Sequence, residues 1–184
     1  MSLNRLTMID KDVLKSTLRM RPGYTYDQAE YLIEQASYLF PLTIDDETVF
    51  RNLMPCVWVF ADFKYPRSLE AYVRHLRDLG LTWRLLADSP PTENADWYLL
   101  IQSLQDEFDW AKVGPLFLTP VKGRRCEGQK DDGELKSSPN ASFFIVNGLH
   151  SALAAMTRIE QGTSSFSPVE AILMLPRVDY PEER

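Results

Sequence analysis

The spacing of apolar side chains divides this chain into helices and strands. Ala29, Leu32, Ile33, Ala36 and Leu39 recur at helical intervals, which predicts a helix from the Tyr24–Asp27 cap region to Phe40, ended by Pro41. Upstream, residues 1–23 read as a polar arm or a short helix closed by the Arg21-Pro22-Gly23 turn. Cys56-Val57-Trp58-Val59-Phe60 is a continuous apolar run rich in strand formers, read as a buried strand. Pro66 or Ser68 opens the next helix, with Leu69, Tyr72, Val73, Leu76 and Leu79 on one face and Gly80 as its stop. Thr82-Trp83-Arg84-Leu85-Leu86 reads as a strand. Strand, helix and strand in that order predict a right-handed crossover if the two strands are parallel.

The polar run Asp88-Ser89-Pro90-Pro91-Thr92-Glu93-Asn94 is the clearest linker. It divides the chain into a helical and βαβ-like N-terminal region, residues 1–95, packed on a core formed by residues 96–184. In that core Asp96 caps a helix to Phe108, with Trp97, Leu100, Ile101, Leu104 and Phe108 as its apolar stripe. Leu116–Val121 reads as a strand, and Pro120 favours an edge position or a bulge. A polar segment, KGRRCEGQKDDGELKSSPN, leads to a strand at Phe143–Val146 and a helix from Leu149 to Gln161. Gly162–Ser165 turns the chain into a last strand, Val169–Leu175, followed by an acidic, Pro-containing tail. The fold class is α/β (α+β), with a mixed sheet and flanking helices.

Composition narrows the picture modestly. The 184 residues are 45% hydrophobic and 25% charged, values of an ordinary globular protein that can bury a substantial core. The formal charge of −6 argues against a wholly polyanion-binding surface but leaves room for a local basic groove. No apolar run approaches the roughly 20 residues that span a bilayer, so no membrane insertion is expected. The N-terminus makes a poor signal peptide. Two cysteines, Cys56 and Cys126, form neither a disulfide framework nor a metal-ligand spacing, and a cytoplasmic location is the simplest expectation.

Chemistry concentrates at Ser142–Gln161, SFFIVNGLHSALAAMTRIEQ. The strand stops at Asn147-Gly148 and a helix begins at once. Such a turn sets unpaired helix N–H groups at the end of a sheet, where an anion can sit.

From Pro115 onward, strand, variable loop, strand, Asn147-Gly148-Leu149-His150, Ala-rich helix and closing Val169-Glu170-Ala171-Ile172 strand resemble the ParB/sulfiredoxin superfamily. The resemblance implies a nucleotide phosphate at the turn, with ATP or another nucleoside triphosphate as ligand and Mg2+ as its companion. It places His150 and Asn147 at the catalytic positions. Gly148, Leu149, His150 and Ser151 fall at the phosphate-binding ones, with the amides of Leu149, His150 and Ser151 turned to the anion. Three positions depart from the family pattern. Asn147 replaces the usual acid, Ser151 stands where a phosphate-binding Arg is expected, and Leu149 occupies the place of the repair enzymes' reactive Cys. Sulfiredoxin chemistry is therefore not expected. Size, acidic balance and the N-terminal extension resemble plasmid fertility-inhibition proteins, which act against conjugative or type IV secretion transfer. That likeness implies ATP hydrolysis and DNA cleavage as activities, and a conjugation component as partner.

Each of these residues has a plainer reading. His150 can be a capping residue, and Asn147-Gly148 a good turn pair. Lys122, Arg124 and Arg125 supply charge for phosphate or a DNA backbone, or balance nearby acids. Asp131, Asp132 and Glu134 hold a divalent cation or form a solvated loop. A Cys56–His75 nucleophile pair needs proximity that spacing does not supply. Trp58, Trp83, Trp97 and Trp110 read as core residues rather than a base-stacking platform. The alternative function is a non-catalytic interaction module that inhibits a partner by covering its surface.

Overall fold

The computed structural model describes residues 7–21, 27–55, 68–90, 95–121 and 142–175. The strand Val169–Leu175, here β5, shows why a sheet forms with helices on both sides. Val169, Ala171 and Leu173 pack into one apolar cluster, while Ile172 and Met174 pack into another, so the strand is buried on both faces. The sheet has the order β1-β5-β3-β4-β2, where β1 is Tyr38–Ile44, β2 Met54–Pro55, β3 Leu116–Pro120 and β4 Phe143–Asn147. Pairing is antiparallel for β1–β5 and β3–β4, and parallel for β5–β3 and β4–β2. An α/β fold with a mixed five-stranded sheet results.

One face is covered by α1 (Lys11–Arg19) and α2 (Asp27–Gln35), whose Leu14, Leu18, Ala29, Leu32 and Ile33 meet Phe117, Phe144 and Met174. Asp10 caps α1 by accepting from the Asp12 and Val13 amides. The other face carries α4 (Leu69–Asp78), α5 (Trp83–Asp88), α6 (Ala95–Asp106) and α8 (Leu149–Glu160). Two short helices, α3 (Glu47–Arg51) and α7 (Trp110–Val113), complete this layer. Leu149 and every residue from Ser151 to Thr157 are buried, so α8 is enclosed nearly all round. This suits its Ala-rich sequence, because small side chains admit close neighbours on every side.

Several elements differ from the sequence expectation. Thr82–Leu86 is not a strand. Thr82 Oγ1 accepts from the Leu85 amide at 3.2 Å, and Trp83 and Leu86, three apart, bury together as α5. Without a strand there, the crossover unit does not form. The helix predicted to reach Phe40 ends at Gln35, and Tyr38–Ile44 becomes edge strand β1. Pro41 fits because an edge strand has a side that needs no ladder donor. Strand β3 is interior, not an edge, and its irregularity lies between Phe117 and Leu118 rather than at Pro120. In α6 the buried residues are Tyr98 and Ile101, whereas Trp97 and Leu100 are exposed. The expected stripe is thus rotated, and Trp97 is not a core residue. Trp83 is fully buried and Trp110 half-buried. The strand expected at Cys56–Phe60, including Trp58, lies outside the described residues. Among the described residues no helix is long and apolar enough to cross a membrane.

Candidate functional site

Strand β4 lies between β3 and β2 and delivers the chain directly into α8. Gly148 makes the connection with φ 88° and ψ 14°, a left-handed conformation that disfavours any Cβ. Its environment is equally restrictive. A Cβ there would lie 2.7 Å from Leu116 Cδ2, so Gly148 allows β3 and the turn to touch. Glycine at this position therefore has a packing cause that needs no ligand.

Gly148 is the N-cap of α8, and no side chain caps it. Ala152 makes the first intrahelical bond, donating to the Gly148 carbonyl at 3.0 Å. The amides of Leu149, His150 and Ser151 precede that bond, at the positive end of the helix dipole. Leu149 and Ser151 are both buried, at 8% exposure each.

His150 is half-buried, and its Nε2 is enclosed without a hydrogen-bond partner among the described residues. The Trp97 ring stands edge-on to it, with 4.9 Å between ring centroids and 85° between planes. Burial pushes the imidazole pKa below its ordinary value of 6.5, which favours the neutral ring at pH 7. A neutral imidazole can donate one hydrogen bond to a phosphate oxygen or accept one proton. Asn147 ends β4 opposite Phe117, next to the irregularity in the β3–β4 pairing.

Asn147–Ser151 thus form one strand-to-helix turn, and Trp97 of α6 packs beside it against His150. Apolar spacing alone had placed Trp97 in the core; its position in the first turn of α6, ahead of the buried Tyr98, was the available signal. Lys122, Arg124 and Arg125 lie outside the described residues. The chain enters their segment from Val121, which donates to the Ser142 carbonyl at 3.1 Å. That pairing lies at the opposite end of β4, about 17 Å from Asn147 at roughly 3.4 Å per residue. Asp131, Asp132, Glu134, Cys56 and Cys126 also lie outside the described residues. His75 sits within α4. Among the described residues no group of three or more His, Cys, Asp or Glu could hold a metal ion.

A second polar assembly escaped sequence reading. Glu160, at the end of α8, bonds to Arg51 of α3 and receives Arg74 at 3.3 Å and Arg77 at 3.4 Å from α4. Arg51 also reaches Glu47 at 2.6 Å and Glu70 at 2.9 Å. Burial would raise the Glu160 pKa, but hydrogen bonds and charge from Arg51 and Arg74 prevail and hold it below 4.5. No family model, no curated protein and no solved structure matches this chain.

Proposed function

We propose that the chain binds a nucleoside triphosphate, with ATP as the favoured ligand, at the turn between β4 and α8. The carrying observation is the conjunction at Gly148–Ser151: a left-handed entry, a helix N-terminus without a side-chain cap, and the unpartnered Nε2 of His150. Three consecutive amides and the helix dipole suit a phosphate group. The neutral His150 ring supplies a further donor or a proton acceptor. In this proposal Mg2+ would accompany the triphosphate and supply charge neutralisation. The sequence resemblance extends the proposal to a ParB/sulfiredoxin-like fertility-inhibition factor that hydrolyses ATP, cleaves DNA and blocks conjugative or type IV secretion transfer. Lys122, Arg124 and Arg125 are its proposed DNA-backbone contacts.

A second reading, a non-catalytic module that covers a partner, draws on the exposed Trp97, Leu99 and Leu100 of α6 and Leu85 of α5. Calorimetric titration with ATP and Mg2+ separates the two. The nucleotide reading expects a dissociation constant tighter than about 1 mM and a loss of about tenfold or more in His150→Ala. Weaker binding, unchanged in that variant, overturns it and leaves the interaction module. On supercoiled plasmid, cleavage should need Mg2+ and fall when Lys122, Arg124 and Arg125 are replaced together.

A further inference from the structure

A cavity of about 750 Å³ opens at the far end of α8 from the Gly148 turn, about 17 Å along the helix axis at roughly 1.5 Å per residue. Its volume is that of a small-molecule site. The inner wall is apolar, formed by Val73, Leu76, Leu81 and Trp83. That wall is held in place: Trp83 Nε1 donates to Thr157 Oγ1 at 2.9 Å, and Thr157 Oγ1 donates to the Leu153 carbonyl at 2.7 Å. Gln105 Nε2 donates to Gln161 Oε1 at 2.8 Å across the mouth.

The sign of the cavity's field follows from its charged groups. Arg77 and Arg84 line it against Asp106 and Glu160, so the formal charges cancel. Both arginines are engaged, Arg77 with Asp78 and Glu160, Arg84 with Asp88. Glu160 is matched by its guanidinium partners. Asp106 differs: it accepts from the neutral Gln102 amide at 2.9 Å and has no ionic partner among the described residues. Three helices also end here, α4 at Asp78, α6 at Asp106 and α8 at Glu160. Their last carbonyls are already taken, by the Leu79, Gly80 and Leu81 amides at α4 and by the Gly162 and Thr163 amides at α8. At α6, Arg158 Nη1 donates to the Gln105 carbonyl at 2.6 Å. The short α5 begins at the same place, but Thr82 already caps it. The charge left without an ionic partner among the described residues is Asp106, beside an apolar wall.

We infer that this cavity binds an organic cation on a short apolar stem, the chemistry of an arginine or lysine side chain. The stem packs on Leu76 and Leu81, and the cation meets Asp106. The probe is N-acetyl-arginine-amide, its neutral control N-acetyl-citrulline-amide, and the readout the Trp83 indole N–H resonance. Saturable movement of that resonance by the arginine probe is expected, with the citrulline probe weaker by about tenfold or more. Asp106→Asn should weaken the arginine probe several-fold, and Gln102→Lys should abolish its binding by placing an ammonium at the mouth. Equal binding of both probes, or no saturable shift, overturns the inference. The same arginine within a glycine-flanked pentapeptide separates the two sources. Tighter binding there assigns the cavity to a partner's basic side chain, and equal binding assigns it to a free small cation.

Discussion

Gly148 is where a single atom decides most. Gly162 has the same left-handed backbone, φ 67°, but open space around its missing Cβ. Gly162→Ala should therefore cost about 1–2 kcal/mol, the left-handed penalty alone. Gly148→Ala adds the collision with Leu116 and should cost about 1–3 kcal/mol more, the usual range for overpacking. Urea denaturation of both variants measures the difference, and equal losses would show that β3 yields freely to the turn. Part of this was legible in sequence. Asn147-Gly148 after an apolar strand announces a turn, and His150 announces an interest in anions. The Leu116 contact was not legible, because it joins residues more than thirty positions apart through strand pairing. The same applies to the burial of Ser151: a position matched to a family motif carries no record of which way its side chain packs.

At the scale of elements, local patterns succeeded where length and capping agreed. Strand β5 and helix α8 follow the expected bounds closely, and Ser68 caps α4 with Gly80 closing it. They failed where an apolar run was short. Trp83-Arg84-Leu85-Leu86 suits either a strand or about one helical turn. The choice is made by Thr82, by packing on α6, where Trp83 stacks on Tyr98, and by docking against α8. That docking rests on Thr157, whose hydroxyl accepts the Trp83 indole N–H in a buried setting. Thr157→Val keeps the shape and strands the indole N–H, so a loss of about 1–3 kcal/mol is expected. Thr157→Ser should recover most of it. Thermal unfolding followed by tryptophan fluorescence reads both. A Val variant as stable as the parent would mean that α5 is held by apolar packing alone.

On the scale of the whole molecule, Glu160 ties α8 to α3 and α4 through Arg51, Arg74 and Arg77. Its folded pKa lies below the unfolded one, so the stabilisation is complete above about pH 4.5 and is lost as pH falls through the lower, folded value. Glu160→Gln should lower stability at neutral pH by about 1.5–3 kcal/mol, the scale of a charge-assisted bond. It should also flatten the acid limb of the stability profile. Denaturant titrations between pH 3 and pH 7 give both quantities, and an acid limb as steep as the parent's would assign that sensitivity to other carboxylates. None of this network could be read from the sequence, since its members come from three separated helices.

The strand order carries a consequence for how the chain is made. Among the described strands, the two at the edges of the sheet, β1 and β2, are synthesised first, and the three between them come from the last part of the chain. Tyr38 finds its partner only when Leu175 has been made. The emerging N-terminal half thus carries β1 and β2 before their partners β5 and β4 exist, and the sheet closes late, through contacts of very long sequence separation. Such topologies fold slowly and expose unpaired edges while they wait. A ribosome-bound chain halted before β4 should be a substrate for chaperones rather than a folded intermediate.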